Sequence, residues 1–139
     1  MIISRVESKL DENKFIKFAS NLYKGDEYWI RPLDKDVSNV FKPETNKAFK
    51  KGEVSRWIIE EDGEVLGRIA AFYQKNNMKG DLNVGGCGFF ECVNNQKAAN
   101  LLFDTAKEWL IEKGYNSMDG PINFGERDKW WGCLSLIHI

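Results

Sequence analysis

The chain has 139 residues, of which 42% are apolar and 29% are charged, and this composition excludes disordered, collagen-like and coiled-coil proteins. The length corresponds to about one domain. The formal net charge is −1, from 20 basic and 21 acidic residues, whereas a dedicated nucleic-acid-binding domain carries a basic excess, so no nucleic-acid partner is predicted.

Features that direct a protein to membranes or to export are absent from the sequence. No uncharged apolar run approaches the roughly 18 residues of a membrane span, and Arg5 and Glu7 interrupt the region where a signal peptide would be apolar. Cys87, Cys92 and Cys133 form no C-x-x-C pair, so neither a disulfide framework nor a metal site is predicted. We therefore expect a protein of the reducing cytoplasm without a membrane partner.

The first third of the chain predicts one strand and two helices. An amphipathic helix is expected to begin at Asp11 as its N-cap and to end at Gly25, because its apolar residues recur with helical spacing. The segment before Pro32 is expected to be extended. The apolar stripe consists of Phe15, Ile16, Ala19, Leu22 and Tyr23, and the other two elements are a strand over residues 1–6 and a short helix over residues 34–41.

A cluster of lysines follows the short helix. Lys42, Lys47, Lys50 and Lys51 are opposed in this region by Glu44 alone. Such a cluster is usually a solvated loop, and the alternative is a site that binds a phosphate group.

The remainder of the chain predicts a hairpin, a third strand, a long helix and a final strand. Glycines 85, 86 and 88 lie inside the third strand, which is typical of a bulge or of the close approach of a ligand or backbone. Cys87 and Cys92 lie five residues apart on this strand and are expected on opposite faces. In chain order we predict strands over 54–60 and 65–74 joined by an Asp-Gly turn at 61–64, a polar loop at 75–81, a strand over 82–93, a helix capped by Asn94 or Asn95 and closed by Gly114, and a strand over 115–120. The predicted fold class is α/β with a mixed sheet, an antiparallel meander followed by a strand–helix–strand crossover.

This order of elements, together with four short motifs, resembles the first five strands of the GNAT fold of acyl-CoA N-acyltransferases. It is most similar to a largely uncharacterised bacterial branch of that superfamily. The resemblance covers nearly all of residues 1–132. The motifs are Tyr23 with Asp26, Trp29 and Pro32-Leu33; Gly67-Arg68-Ile69-Ala70-Ala71; Gly88-Phe89-Phe90-Glu91; and Gly120-Pro121-Ile122-Asn123-Phe124.

The resemblance implies a site for acetyl-CoA or another acyl-CoA, and a small-molecule amine as the acceptor. GNAT enzymes usually hold the pyrophosphate with an Arg/Gln-x-x-Gly-x-Gly/Ala loop, but residues 93–99 contain neither glycine nor arginine. The alternative is therefore a non-catalytic GNAT-fold module that binds a ligand or a protein. The residues assigned to the acyl-CoA site are Phe90, Cys92, Val93, Asn94, Asn95, Gln96, Lys97 and Ala98.

Glu91 is the candidate catalytic base, because it is an ionisable residue in a run of apolar and small residues. The alternative is a carboxylate on the solvated face of the strand. Tyr28 and Trp29 are candidates for an aromatic substrate platform, or else they anchor an irregular segment to the core.

The last part of the chain predicts a substrate or partner surface in the loop after the final strand. It combines charges with aromatic residues that can stack on a ligand; the alternative is an ion-paired loop whose tryptophans pack against a missing C-terminal half. Residues 1–132 are interpreted as a partial GNAT-like domain lacking its C-terminal strands, and residues 133–139 as a non-native or frame-shifted tail. The loop residues named for this surface are Asn123, Glu126, Asp128 and Trp130.

Overall fold

A computed structural model describes residues 1–75, 77–122 and 124–125 of the chain. In these ranges one mixed sheet carries helices on both faces. A 3-10 turn, Lys47–Lys50, lies between the second helix and the second strand. The elements are β1 Ile2–Arg5, α1 Lys9–Leu22, α2 Asp34–Val40, β2 Gly52–Glu61, β3 Glu64–Gln74, β4 Met78–Lys79, β5 Leu82–Cys92, α3 Gln96–Glu112 and β6 Ser117–Asp119.

The sheet has the strand order β1-β2-β3-β5-β4, and β6 pairs with β5. The pairs β2–β3 and β3–β5 are antiparallel, whereas β5–β6 is parallel and is connected through α3. The predicted meander and crossover are therefore confirmed. Asp62 and Gly63 have φ values of 52° and 79°, as a tight hairpin turn requires. The predicted polar loop at 75–81 contains the two-residue strand β4, which is too short to leave a periodic pattern.

Helix α1 begins earlier than the sequence indicated. The N-cap is Ser8, whose side chain accepts a hydrogen bond from the Asp11 N–H at 3.1 Å, while the Asp11 carboxylate accepts one from the Ser8 N–H at 3.3 Å. The expected N-cap at Asp11 was wrong because Asp11 is the acidic partner of a capping box. The buried residues of α1 are Phe15, Phe18 and Ala19, so the predicted apolar stripe omitted Phe18.

Replacing Ser8 with alanine should therefore lower the free energy of unfolding by about 1 kcal/mol, because loss of the cap leaves the Asp11 N–H without its partner. Urea denaturation of both proteins measures this change. Ser20→Ala in the same helix is the control, since Ser20 is not a cap and alanine favours the helical conformation. Equal stabilities for S8A and the parent protein would contradict the assignment.

Two apolar layers cover the sheet, one on each face. Ile69 and Ala71 point toward α3 and pack with Leu102, whereas Ala70 points to the other face and packs with Phe15 of α1. This division follows from the alternation of side chains along β3.

The glycines of β5 allow large side chains to approach the sheet. A Cβ atom at Gly85 would lie 2.5 Å from a methyl carbon of Leu110, and one at Gly86 would lie 2.5 Å from the ring of Phe72. Neither distance is compatible with a side chain, so packing accounts for both glycines. The close approach that the sequence predicted is therefore made by the protein's own core at these two positions.

A bulge interrupts the pairing of β3 with β5. Arg68 lies opposite Glu91 and Ala70 lies opposite Gly88, so two residues of β5 face a single residue of β3. The first of the two, Phe89, has a φ of 50°, which is uncommon for a residue with a large side chain. The bulge bends β5 just before Glu91 and changes the direction in which its last residues point.

This bulge corrects the expectation for the two cysteines. Cys87 is buried in the layer beneath α3, and Cys92 packs against the same layer. A bulge adds one residue to the strand and thereby shifts the alternation of faces. The prediction that they lie on opposite faces was wrong for this reason.

Candidate active site

Three elements bring a cluster of polar side chains together at the end of β5. Glu91 is half-buried and lies across the sheet from Arg68 of β3. Its Oε2 atom accepts a hydrogen bond from the hydroxyl of Tyr23, which directly follows α1 as its C-cap. Because Arg68 faces α1, Glu91 lies on the same face of the sheet as Tyr23. We call Tyr23, Arg68 and Glu91 the Glu91 cluster.

Arg68 is the buried member of this cluster, with 6% of its surface exposed. Its Nη1 atom donates to the Phe15 carbonyl at 2.6 Å, and its guanidinium lies 5.0 Å from the centre of the Phe15 ring. Among the described residues its Nε has no hydrogen-bond partner. Burial lowers the pKa of Arg68 to about 10, while the charge of Glu91 acts in the opposite direction. Arg68 is therefore cationic at neutral pH and places a positive charge beside Glu91.

Trp29 joins the cluster through Tyr23. The two rings stack with their centroids 5.1 Å apart and an angle of 27° between their planes. Trp29 is half-buried, whereas Tyr28 is 86% exposed. Of the two aromatic residues that the sequence indicated, Trp29 thus lies next to the Glu91 cluster, and Tyr28 extends into solvent.

Desolvation, followed by the hydrogen bond to Glu91, raises the pKa of Tyr23 to about 12 from its ordinary value of 10.0. A tyrosine whose pKa is raised in the folded state remains protonated where the unfolded chain ionises. Its stabilising contribution is therefore complete below pH 10 and is lost as the pH rises toward 12.

Urea unfolding measured between pH 9 and pH 11.5 should show a steeper loss of stability for the parent protein than for Tyr23→Phe, which has no phenol at this position to ionise. Tyr73 and Tyr115 are unchanged in the variant and provide the common background. If the stability of the two proteins fell equally with pH, the pKa of Tyr23 would not be raised in the folded protein.

The backbone at the β5–α3 junction is partly occupied by local hydrogen bonds. The Val93 N–H donates to the Leu66 carbonyl at 2.9 Å, and the Ala98 N–H donates to the Asn95 side chain at 3.1 Å. Asn95 is thus the N-cap of α3, as one of the two predicted caps. Ala98 is completely buried. These two N–H groups are engaged and cannot bind a ligand in this conformation.

Gln96 and Lys97 present the remaining N–H groups of the first turn of α3. No hydrogen bond from either backbone N–H is formed within the described ranges. Both residues are exposed, and the Gln96 side chain donates to Asn100 at 2.9 Å. The start of α3 therefore offers two donors, the positive end of the helix dipole and the Lys97 ammonium.

The other residues predicted for an acyl-CoA site have different environments. The Phe90 ring packs on Phe103 of α3 with a centroid distance of 4.4 Å, and Cys92 lies in the layer beneath the same helix. Asn94 is exposed between the strand and the helix. These three positions surround the junction, but their side chains do not contribute to the Glu91 cluster.

The second edge of β5 is paired over part of its length in the described residues. Strand β6 pairs with β5 from Val84 to Gly86, and the Ile122 N–H bonds to the Cys87 carbonyl. Backbone groups of successive residues point to opposite edges of a strand. Because Val93 donates toward β3, the backbone of Cys92 points to the edge that lies beyond the end of β6.

The predicted surface formed by Asn123, Glu126, Asp128 and Trp130 lies outside the described residues. Within the described ranges, no group of three or more His, Cys, Asp or Glu side chains is arranged to hold a metal ion. No helix in the same ranges combines the length and the apolar character needed to cross a bilayer.

One well-defined cavity does not coincide with the Glu91 cluster. It has a volume of about 970 Å³ and lies between α2, the 3-10 turn and Phe124. Neither Glu91 nor the start of α3 lines it. The ionisable and hydrogen-bonded side chains of the candidate active site belong to the Glu91 cluster.

Sequence reasoning did not assign Tyr23 or Arg68 to the site. A signal was present for Arg68, which is a lone charge in the apolar run Gly67–Ala71 of a central strand. No comparable signal distinguished Tyr23 from the apolar residues of α1. Its role depends on the position of the helix end relative to β5, which is a tertiary feature.

Solved structures that resemble this chain are acetyltransferases. An aminoglycoside acetyltransferase from an uncultured soil metagenomic sample, in complex with sisomicin, aligns with a TM-score of 0.60 and 11% identity over 88% of this chain and 77% of that chain. A predicted acetyltransferase from Clostridium acetobutylicum, solved with acetyl-CoA, aligns with a TM-score of 0.60 and 15% identity over 99% of both chains. A ribosomal-protein-alanine N-acetyltransferase from Brucella melitensis aligns with a TM-score of 0.58 and 14% identity. The chain therefore has the GNAT fold that its sequence resembles.

Two curated proteins are related in sequence. The bacterial ceramide synthase of Caulobacter vibrioides is 28% identical over 121 residues, which is 85% of this chain and 31% of that protein. Protein YghO of Escherichia coli is 26% identical over 120 residues and 30% of its length. The chain thus spans less than a third of the length of these relatives. No family model matches the sequence.

Proposed function

We propose that this protein transfers an acyl group from an acyl-CoA to the amine of a small acceptor, with Glu91 as the general base. The observation that carries the proposal is the position of the Glu91 cluster. In a GNAT fold it lies at the end of a bulged central strand that leads directly into the first turn of a long helix. A base and an anion-binding helix end are thereby separated by a few residues of chain.

The proposed reaction needs few groups from the protein. The acceptor nitrogen attacks the thioester carbonyl, the new C–N bond forms, and the C–S bond breaks to release the CoA thiol. The neutral amine nitrogen loses one proton in this process, which the Glu91 carboxylate would accept, and the departing thiolate takes up one proton to become the CoA thiol. Arg68 places a positive charge beside this carboxylate, and the Tyr23 hydroxyl fixes its orientation through a hydrogen bond.

The acyl donor would bind at the start of α3. The N–H groups of Gln96 and Lys97, the helix dipole and the Lys97 ammonium suit the pyrophosphate of an acyl-CoA. The backbone of Cys92 points to an edge of β5 that no described residue pairs with at this position, and it would receive the extended arm of the acyl donor. Both described cysteines, Cys87 and Cys92, are free thiols, as expected in the cytoplasm, where we place the reaction.

The name of one curated relative, bacterial ceramide synthase, supports formation of an amide. A ceramide is an amide between a fatty acyl group and a long-chain amino alcohol, so a ceramide synthase forms an N-acyl bond. By this likeness, the present chain would also form an N-acyl bond. The acyl group and the acceptor remain to be identified with a panel of amines and acyl-CoAs.

Acetyl-CoA binding, measured by calorimetry, tests the proposed donor site. Gln96 occupies the first position of α3, where proline is tolerated but has no N–H to donate. Gln96→Pro should weaken binding about 10- to 150-fold, which corresponds to the roughly 1.5–3 kcal/mol of one hydrogen bond to a charged group. Gln96→Ala retains the N–H and should bind within twofold of the parent protein.

If Q96P and Q96A bound acetyl-CoA equally well, the start of α3 would not be part of the acyl-CoA site. No binding of acetyl-CoA or longer acyl-CoAs at millimolar concentration would instead favour the second candidate function, a GNAT-fold module that binds a ligand or protein without catalysis. The observation that favours this second function is the absence of glycine from residues 93–99.

A further inference from the structure

Three lysines of the sequence cluster lie around the cavity between α2, the 3-10 turn and Phe124. Lys47, Lys50 and Lys51 line this cavity of about 970 Å³, whereas Lys42 does not. Lys47 and Lys50 are three residues apart in a 3-10 turn and therefore lie on one side of it, and Lys51 follows as its C-cap. A shared cavity is what the phosphate-binding interpretation of the cluster requires.

The three lysines are not neutralised by neighbouring carboxylates. None of them takes part in an ion pair within the described part of the chain. Asp36 of α2 is the one acidic residue among those that line the cavity, so its described lining carries a net charge of +2. A concave surface with such an excess attracts anions more strongly than a flat surface does.

The floor of the cavity is apolar. Val40 and Phe124 are 6% and 1% exposed and belong to one core layer, and Leu33 contributes a side chain that is 69% exposed. Asn46 supports this floor, because its side chain donates to the Val40 carbonyl at 2.8 Å and to the Phe124 carbonyl at 3.0 Å. A ligand that matches this lining combines an anionic group with an apolar portion.

The cavity is distant from the Glu91 cluster along the sheet. Gln74, which lines the cavity, follows Arg68 by six residues on β3, or about 20 Å of extended strand. The α3 donor site is at the Arg68 end of this strand, where Gly67 pairs with Cys92. The cavity is therefore separate from the site proposed for acyl transfer.

We propose that this cavity is a binding site for an amphiphilic phosphate, whose phosphate group contacts Lys47, Lys50 and Lys51. The apolar portion of the ligand lies on Pro32 and Leu33, the exposed apolar side chains of the lining. The ligand is either a soluble phosphate ester or the headgroup of an anionic phospholipid, since both present the same chemistry. The proposal does not depend on acyl transfer.

The first probe is octyl phosphate, used below its critical micelle concentration. Calorimetry measures its binding to the full chain. It should bind at least tenfold more tightly than inorganic phosphate, because only octyl phosphate covers the exposed apolar side chains of the lining. The variant K47Q/K50Q/K51Q should bind octyl phosphate at least tenfold more weakly. The variant K17Q/K35Q/K42Q removes the same charge from exposed lysines that do not line the cavity and should bind within twofold of the parent protein.

Vesicles of phosphatidylcholine with and without phosphatidic acid distinguish the two sources of the ligand. Binding to the anionic vesicles that is lost in K47Q/K50Q/K51Q assigns the site to a lipid headgroup, whereas octyl phosphate binding without vesicle binding assigns it to a soluble ester. Equal losses in the two triple variants, or octyl phosphate binding no tighter than that of inorganic phosphate, would overturn the proposal. Absence of all binding would do the same, whatever the result with acetyl-CoA.

Discussion

Glu91→Gln should lower kcat for acyl transfer by about 10²- to 10⁴-fold, the usual contribution of a general base. Glutamine retains the size of the side chain and still accepts a hydrogen bond from Tyr23, but it cannot take a proton from the acceptor amine. The release of CoA thiol in the presence of an active amine measures the rate. Because the amine must be identified first, the assay begins with a panel of amines and the parent protein.

Two controls separate a catalytic role of Glu91 from a structural one. Glu64→Gln removes a carboxylate from the exposed start of β3 and should leave kcat unchanged. Tyr23→Phe retains the Glu91 carboxylate but removes its hydrogen bond, so its effect should be smaller than that of E91Q. An E91Q variant that folds normally and transfers the acyl group at the parent rate would exclude Glu91 as the base.

Phe15→Ala should lower the free energy of unfolding by about 3–5 kcal/mol, as expected when a fully buried aromatic ring is removed. The ring lies beneath both arginines of this face, with Arg68 5.0 Å and Arg56 5.7 Å from its centre. Its loss leaves a cavity directly below the Glu91 cluster. Urea denaturation measures the change in stability.

Leu10→Ala is the matched control, because Leu10 belongs to the same helix and is 64% exposed. It should change stability by less than about 0.5 kcal/mol. If F15A lowered the free energy of unfolding no more than L10A does, the assignment of Phe15 to a core layer between α1 and the sheet would be wrong. A variant that has the expected loss of stability should also release less CoA thiol, since Phe15 supports Arg68.

The sequence predicted the elements and their order because most of them carry a local signal. The Asp-Gly turn fixed the hairpin, and the 3.6-residue period together with Asn95 and Gly114 fixed α3. The fold class followed from this order, through the rule that a strand–helix–strand crossover joins parallel strands. The short strand β4 and the capping box at Ser8 were missed because their signals cover only two to four residues.

The arrangement of the candidate site was less accessible to sequence reasoning. Glu91 was found because a lone carboxylate in an apolar strand is chemically unusual, but its partners come from distant parts of the chain. The bulge at Phe89 depends on how two strands pair. It places Cys87 and Cys92 on the same face of the sheet, whereas the sequence predicted opposite faces. The cavity near Lys47 likewise forms when the 3-10 turn, α2 and Phe124 meet.

Binding of an acyl-CoA where β5 leads into α3 is tested most directly by a single NMR titration. Uniformly ¹⁵N-labelled protein is titrated with acetyl-CoA, and the amide shifts are followed residue by residue. We expect the largest shifts at Gln96 and Lys97, with smaller ones at Cys92. Saturable binding whose largest shifts fall around Lys47 instead, or no shifts at millimolar acetyl-CoA, would contradict the account.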